Sequence, residues 1–96
     1  MRRARRHRSD VTVWTTPDGA GLVTLGRGVA GRWEAAVEVE PAARGRGLGT
    51  ALAASAPALL PEPAALWAQV APANTASLRA FLTAGWRPVA AEVLFA

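Results

Sequence analysis

Arg44-Gly45-Arg46-Gly47-Leu48-Gly49 places three glycines and two arginines within six residues. Glycine lets a backbone take positive φ and come close to a bulky ligand. Guanidinium groups make forked hydrogen bonds to phosphate. If such a run opens a helix, its first-turn amides have no internal acceptor, and with the helix dipole they form an anion site. The residue types and their spacing therefore point to a phosphate-bearing ligand, and pyrophosphate suits a nest of amides of this kind. A Walker loop is excluded because the spacing is not G-x-x-x-x-G-K-[ST]. A dinucleotide fingerprint is excluded because Leu52 lies where the third glycine belongs and no acid occupies the ribose position.

The flanking elements decide whether the run does open a helix. Upstream, Trp33 to Glu40 alternates Trp33, Ala35, Val37 and Val39 with Glu34, Glu38 and Glu40, a strand with one buried face and one acidic face. Pro41 stops it. Downstream, Leu48, Leu52, Ser55 and Leu59 recur at helical spacing among alanines, and Pro57 ends or kinks that helix. Earlier, Val11–Thr16 and Leu22–Leu25 read as a hairpin around Pro17-Asp18-Gly19. Later, Leu66–Ala71 reads as a central strand. Asn74 or Thr75 caps a second helix with an apolar face of Leu78, Phe81 and Leu82, and Gly85 terminates it. Trp86–Phe95 returns to strand character. The order is β-β-β-α-β-α-β, which predicts an α/β (α+β) mixed sheet with helices packed on it and right-handed crossovers. The four tryptophans, Trp14, Trp33, Trp67 and Trp86, all fall on strands and are read as core or sheet cover.

The chain has 96 residues, room for one small domain, and 51% of them are apolar, which favours a folded domain over disorder. Cysteine is absent, so there is no disulfide framework, thiolate nucleophile or thiolate metal site, and no metal is expected. No apolar run approaches the ~20 residues of a membrane span and no secretory signal is visible, so a cytoplasmic location is the default expectation. Every basic residue other than His7 is arginine. Arg2, Arg3, Arg5, Arg6 and Arg8 exceed the whole net charge of +4. Residues 1–10 read as a basic, disordered arm and 11–96 as the domain. A solvated arm, with His7 solvated too, outweighs nucleic-acid binding by counterion release, which stays as an alternative.

The glycine-arginine run, preceded by Val37, Val39 and Pro41, resembles the R/Q-x-x-G-x-G/A acyl-CoA signature of the GNAT family of N-acetyltransferases. A second block, Asn74, Ser77, Leu78, Phe81 and Ala84-Gly85-Trp86, is similar to that family's N-x-x-(A/S)-x-x-x-(Y/F)-x-x-x-G-(F/W) helix and terminator. The two blocks are separated by a distance that fits helix–strand–helix, and the resemblance covers Val11 to Phe95. It implies an acyl-CoA N-acyltransferase-like sheet and an N-acetyltransferase that uses acetyl-CoA as acyl donor and an unnamed amine as acceptor. By resemblance the amides of Arg44, Gly45, Arg46, Gly47, Leu48, Gly49 and Thr50 hold pyrophosphate. Backbone groups at Val37 and Val39 hold pantetheine, and Asn74, Ser77 and Phe81 complete the cofactor side.

Acyl transfer to an amine needs a base for the ammonium proton, donors for the thioester carbonyl and help for the departing thiolate. Relatives often place a carboxylate on the strand before the turn as base, which implies Glu34 first and Glu38 second. Many carry a tyrosine near the sulfur, but Phe81 holds that position and the chain has no tyrosine. Ser77, water, or unassisted departure of a thiolate whose thiol has a pKa of ~8.5 are the substitutes. The family's domain normally begins with a further strand and one or two helices. The resemblance therefore implies a domain shortened at its N-terminal side and one strand short at its C-terminal end. Its open apolar sheet face would be covered by a homodimer or lead to poor solubility. Two alternatives to the enzyme remain: a CoA-binding module without turnover, and a nucleic-acid-associated protein acting through the arginine arm.

Overall fold

The computed structural model describes residues 9–28, 31–69, 75–89 and 92–95. Two turns set the antiparallel half of the sheet. β1 (Ser9–Thr15) and β2 (Gly21–Arg27) pair antiparallel around Pro17-Asp18-Gly19. Gly19 supplies the positive φ of 74° there, and the Asp18 carboxylate accepts from the Thr16 hydroxyl at 2.8 Å and the Ala20 amide at 3.0 Å. The Ala20 amide, then the Thr16 hydroxyl, hold the Asp18 carboxyl below its ordinary range. β1 begins at Ser9, two residues before the stretch expected from sequence, with Asp10 at positive φ and 3.7 Å from Arg27. β3 (Trp33–Val39) pairs antiparallel with β2 in continuous register, from Gly21 opposite Val39 to Arg27 opposite Trp33.

β4 (Leu66–Gln69) lies parallel to β3, as a strand–helix–strand unit requires. The stretch expected as one final strand forms two: β5 (Arg87–Val89) and β6 (Glu92–Phe95). This stretch thus carries one strand more than the sequence reading assigns to it. The six strands run in the order β1-β2-β3-β4-β6-β5. Pro88, which cannot donate to a ladder, sits on the edge strand β5, where the missing donor costs least.

Both helices lie on one face of this sheet. α1 (Leu48–Ser55) continues into a 3₁₀ turn over Ala56–Leu59, and α2 (Thr75–Thr83) follows β4. The core joins Val23, Leu25, Trp33, Ala35, Leu66, Ala68 and Val93 of the sheet with Ala53, Ala56, Phe81 and Trp86. Of the expected Leu48–Leu52–Ser55–Leu59 stripe, Leu52 and Leu59 are half-buried and pack against the core while Ser55 is exposed; the fully buried positions are Ala53 of α1 and Ala56 of the 3₁₀ turn, whose small side chains bring the helix close to the sheet. On α2 only Phe81 of the expected face is buried, while Leu78 and Leu82 are 37% and 41% exposed. The other sheet face is not open at β2, because Leu22 and Thr24 are also buried. No described helix is long and apolar enough to cross a membrane.

α2 ends at Gly85, whose φ is 97°. The Gly85 amide donates to the Leu82 carbonyl and the Trp86 amide to the Phe81 carbonyl, the bond pair of a Schellman terminator. That turn drives Trp86 into the core, edge-on to Phe81 at 4.7 Å. Its indole Nε1–H donates to the Ala53 carbonyl at 3.0 Å. In a continuing helix that carbonyl would accept from residue 57, but residue 57 is proline and has no amide hydrogen. Trp86 thus supplies the donor that Pro57 lacks and ties the end of α2 to the middle of α1. Replacing Trp86 by Phe leaves the Ala53 carbonyl buried without a donor and is expected to cost about 1–3 kcal/mol in urea unfolding. Trp14→Phe, at a position 44% exposed, is expected to change stability by less than about 0.5 kcal/mol.

Candidate functional site

Beyond Glu34 the sheet forks. Ladder pairs between β3 and β4 are confined to Trp33–Leu66 and Glu34–Trp67, although β3 runs on to Val39 and β4 to Gln69. β4 keeps its other partner throughout, with Leu66 opposite Phe95 and Gln69 opposite Glu92. Past the fork, the edge of β3 that faces away from β2 has no strand beside it among the described residues. An unpaired strand edge offers a row of donors and acceptors to any extended chain laid along it.

The fork opens into a cleft of about 860 Å³. Val37 to Pro41 of β3 and the following bend form one wall. Ala43 to Gly45 and Gly47 to Thr50 form the end, and α2 contributes Ala76, Ser77, Arg79, Ala80, Phe81 and Thr83. Pro41–Ala43 makes one 3₁₀ turn after β3. Gly45 (φ 81°) and Gly47 (φ 79°) then reverse the chain so that α1 starts at Leu48. Gly47 is the N-cap and has no side chain to cap with. The Ala51 amide takes the Gly47 carbonyl at 3.0 Å, and the amides ahead of it, from Gly45 to Thr50, have no backbone acceptor among the described residues. They lie at the positive end of the helix dipole.

The two turn arginines brace the loop that carries these amides. Arg44 Nε donates to the Val39 carbonyl at 3.4 Å, and Arg46 Nη2 donates to the Ala42 carbonyl at 3.0 Å. α2 passes close to Gly49 without requiring glycine there: a Cβ would lie 3.6 Å from the Ala80 Cβ and 3.8 Å from Val39, both ordinary contacts. Phe81, 3% exposed, is both floor of the cleft and core residue.

Glu38 lines the cleft and Glu34 does not. The two are four residues apart, about 13 Å along the strand. Glu34 instead receives Arg32 Nε at 3.0 Å, and the same guanidinium donates to both oxygens of Glu92 and lies 4.7 Å over the Trp67 ring. The hydrogen bond to Glu92, followed by that to Glu34, raises the already high pKa of Arg32. Gly28 makes room for this cluster, since a Cβ there would come within 2.4 Å of the Glu34 carboxyl carbon. Of the other expected site residues, Val37, Val39, Ser77 and Phe81 are brought together here, and Asn74 lies outside the described residues, as do His7 and the arginines of the arm.

Sequence reasoning missed Glu40 and Arg79, both on the cleft. The small-residue spacing Ala76–Ala80–Thr83 was the available sign of a helix face turned to a ligand. Nothing local could have found the Arg32 cluster, because Glu92 is 60 residues away. Among the described residues no group of three or more His, Cys, Asp or Glu side chains is placed to hold a metal ion.

The family model for the acetyltransferase (GNAT) family matches residues 6–86. Among solved structures, the crystal structure of the GNAT domain of S. lividans PAT is similar, with 26% sequence identity and a TM-score of 0.69. The match covers 88% of this chain and 58% of that chain, so the present chain spans little more than half of its neighbour. No curated protein matches the chain.

The three glycines of the turn differ in what they do, and substitution separates them. Gly45→Ala and Gly47→Ala meet no atom within 4 Å but hold alanine at positive φ, so each is expected to cost about 1–2 kcal/mol. Gly49→Ala has ordinary φ and ordinary contacts inside a helix, and is expected to be neutral or to stabilise by up to about 1 kcal/mol, as read by chemical denaturation.

Proposed function

This chain belongs to the acetyltransferase (GNAT) family, whose fold supports acyl transfer, and from that premise we propose that its cleft binds acetyl-CoA and passes the acetyl group to an amine by direct attack. The observation that carries this reading is the unclaimed row of amides from Gly45 to Thr50, opening beside the unpaired edge of β3. The amides suit the diphosphate of coenzyme A, with Arg44 and Arg46 holding the loop in place around it. The β3 edge at Val37 and Val39 suits the extended, amide-rich pantetheine arm, which can pair as a strand does.

When bound, the thioester supplies an electrophilic carbonyl and a leaving thiolate. The residues of the chain position it and manage the protons. The amine must lose a proton as its nitrogen bonds to the carbonyl carbon and the carbon–sulfur bond breaks. Glu38, on β3 and lining the cleft, is the first candidate to take that proton, and water can bridge the remaining distance. Glu34, tied to Arg32, is the second candidate; it shares the Glu38 face of β3 but lies about 13 Å along the strand from it. Phe81 has no proton to give, so the sulfur leaves as thiolate, which a thiol pKa of ~8.5 allows. The absence of a hydroxyl at Phe81 also favours a second reading, a module that binds acyl-CoA with little turnover, and a transfer assay against a panel of amines decides between the two.

Gly47→Asp tests binding. Aspartate tolerates positive φ better than most residues, so the fold survives, but a carboxylate stands where the diphosphate belongs. Calorimetric titration with acetyl-CoA is expected to show at least ~100-fold weaker binding than the native chain, and equal affinity would refute the placement. Glu38→Gln is expected to lower transfer by about 100-fold or more with acetyl-CoA affinity retained. A larger loss in Glu34→Gln than in Glu38→Gln would exchange the two roles.

A further inference from the structure

The described arginines divide by occupation. Arg27 is within ion-pair range of Asp10 and Glu62 and stacks on Trp33. Arg32 is held by Glu34, Glu92 and Trp67. Arg44 and Arg46 are spent on the carbonyls of their own loop. Arg79 and Arg87 make no ion pair or hydrogen bond with any described residue, and every acidic side chain of the chain is described. Of these two only Arg79 lines the cleft.

Its place in the fold is well fixed. α2 crosses the first turn of α1 at Ala80, where the Gly49 backbone and the Ala80 methyl meet. Arg79, one residue earlier and exposed, lines the same cleft as the amide row. A guanidinium so placed, without a carboxylate of its own, is a docking point for an oxygen anion. The diphosphate already has the amides of α1. Coenzyme A carries one further anionic group, the phosphate monoester on the 3′ position of its ribose, with a charge of roughly −1.5 to −2 at neutral pH.

We infer that Arg79 recognises the ribose 3′-phosphate of the acyl-CoA and makes the cleft selective for coenzyme A over its 3′-dephospho form. This rests on the reading of the cleft as a CoA site and adds to it the residue that reads the nucleotide end. Arg79 does not touch the reacting thioester; it fixes where the nucleotide lies, and through it the register of the pantetheine along β3.

Calorimetric titration of the intact chain with coenzyme A and with 3′-dephospho-coenzyme A, on the native chain, Arg79→Gln and Arg79→Lys, tests this. The native chain is expected to prefer coenzyme A by about fivefold, as an exposed charge-assisted contact provides, and the preference shrinks as salt is raised. Arg79→Gln is expected to lose the preference by weakening coenzyme A alone, with dephospho-coenzyme A bound as before. Arg79→Lys keeps part of it. The ratio of two affinities within one variant cancels any loss of folded protein. Equal affinities in the native chain, or an equal loss for both ligands in Arg79→Gln, would overturn the assignment while leaving the CoA site standing. Binding of neither ligand to the native chain would bring down the CoA reading and this inference with it.

Discussion

Six backbone amides, from Gly45 to Thr50, that have no backbone acceptor among the described residues are the feature on which the site depends. A helix start normally satisfies its first amides with a capping side chain or water. Here the N-cap is Gly47, at positive φ like Gly45 before it, so no side chain caps these amides, and Gly45 and Gly47 to Thr50 line one cleft. The arrangement is costly without a guest, because glycine gives up more conformational freedom on folding than any other residue. Arg44 and Arg46 offset part of that cost by tying the loop to its own carbonyls, which also presets the shape a ligand meets.

The rest of the fold keeps that helix start in place. α1 cannot shift along the sheet without dragging Ala53 from the Trp86 indole, and Trp86 cannot move without undoing the terminator of α2. Alanines at 53, 56 and 80 and glycine at 49 bring backbones closer than leucines would allow. A deletion on either helix is therefore felt at the cleft. The fork between β3 and β4 is the complementary device: β4 is fully paired to β6 and only briefly to β3, so the sheet holds together while one edge of β3 is left unpaired.

Local chemistry made much of this legible in the sequence. The run from Arg44 to Gly49 could be read because glycine and arginine have few other reasons to crowd together between a strand and a helix. The tolerance of the family signature for alanine at its last glycine agrees with Gly49 having ordinary φ, whereas Gly45 and Gly47 need the left-handed region. The α2 terminator was legible at Gly85 for the same reason. What was hidden was hidden by distance. Arg32 meets Glu92 across the sheet, so in the sequence Glu34 reads as the first candidate base although its carboxylate is held by a salt bridge. Leu78 and Leu82 fit a helical stripe, but the stripe does not face the sheet. The division of the last stretch into β5 and β6 was obscured by apolar residues on both sides of the bend.

The central claim is that the amides opening α1 hold the diphosphate of an acyl-CoA. The most direct measurement is amide proton shifts in a ¹⁵N-labelled chain titrated with coenzyme A. The account predicts that the amides of Gly47, Leu48, Gly49 and Thr50 move furthest and downfield, as new charge-assisted hydrogen bonds require. Saturable binding that leaves those four amides unmoved while others shift would contradict it.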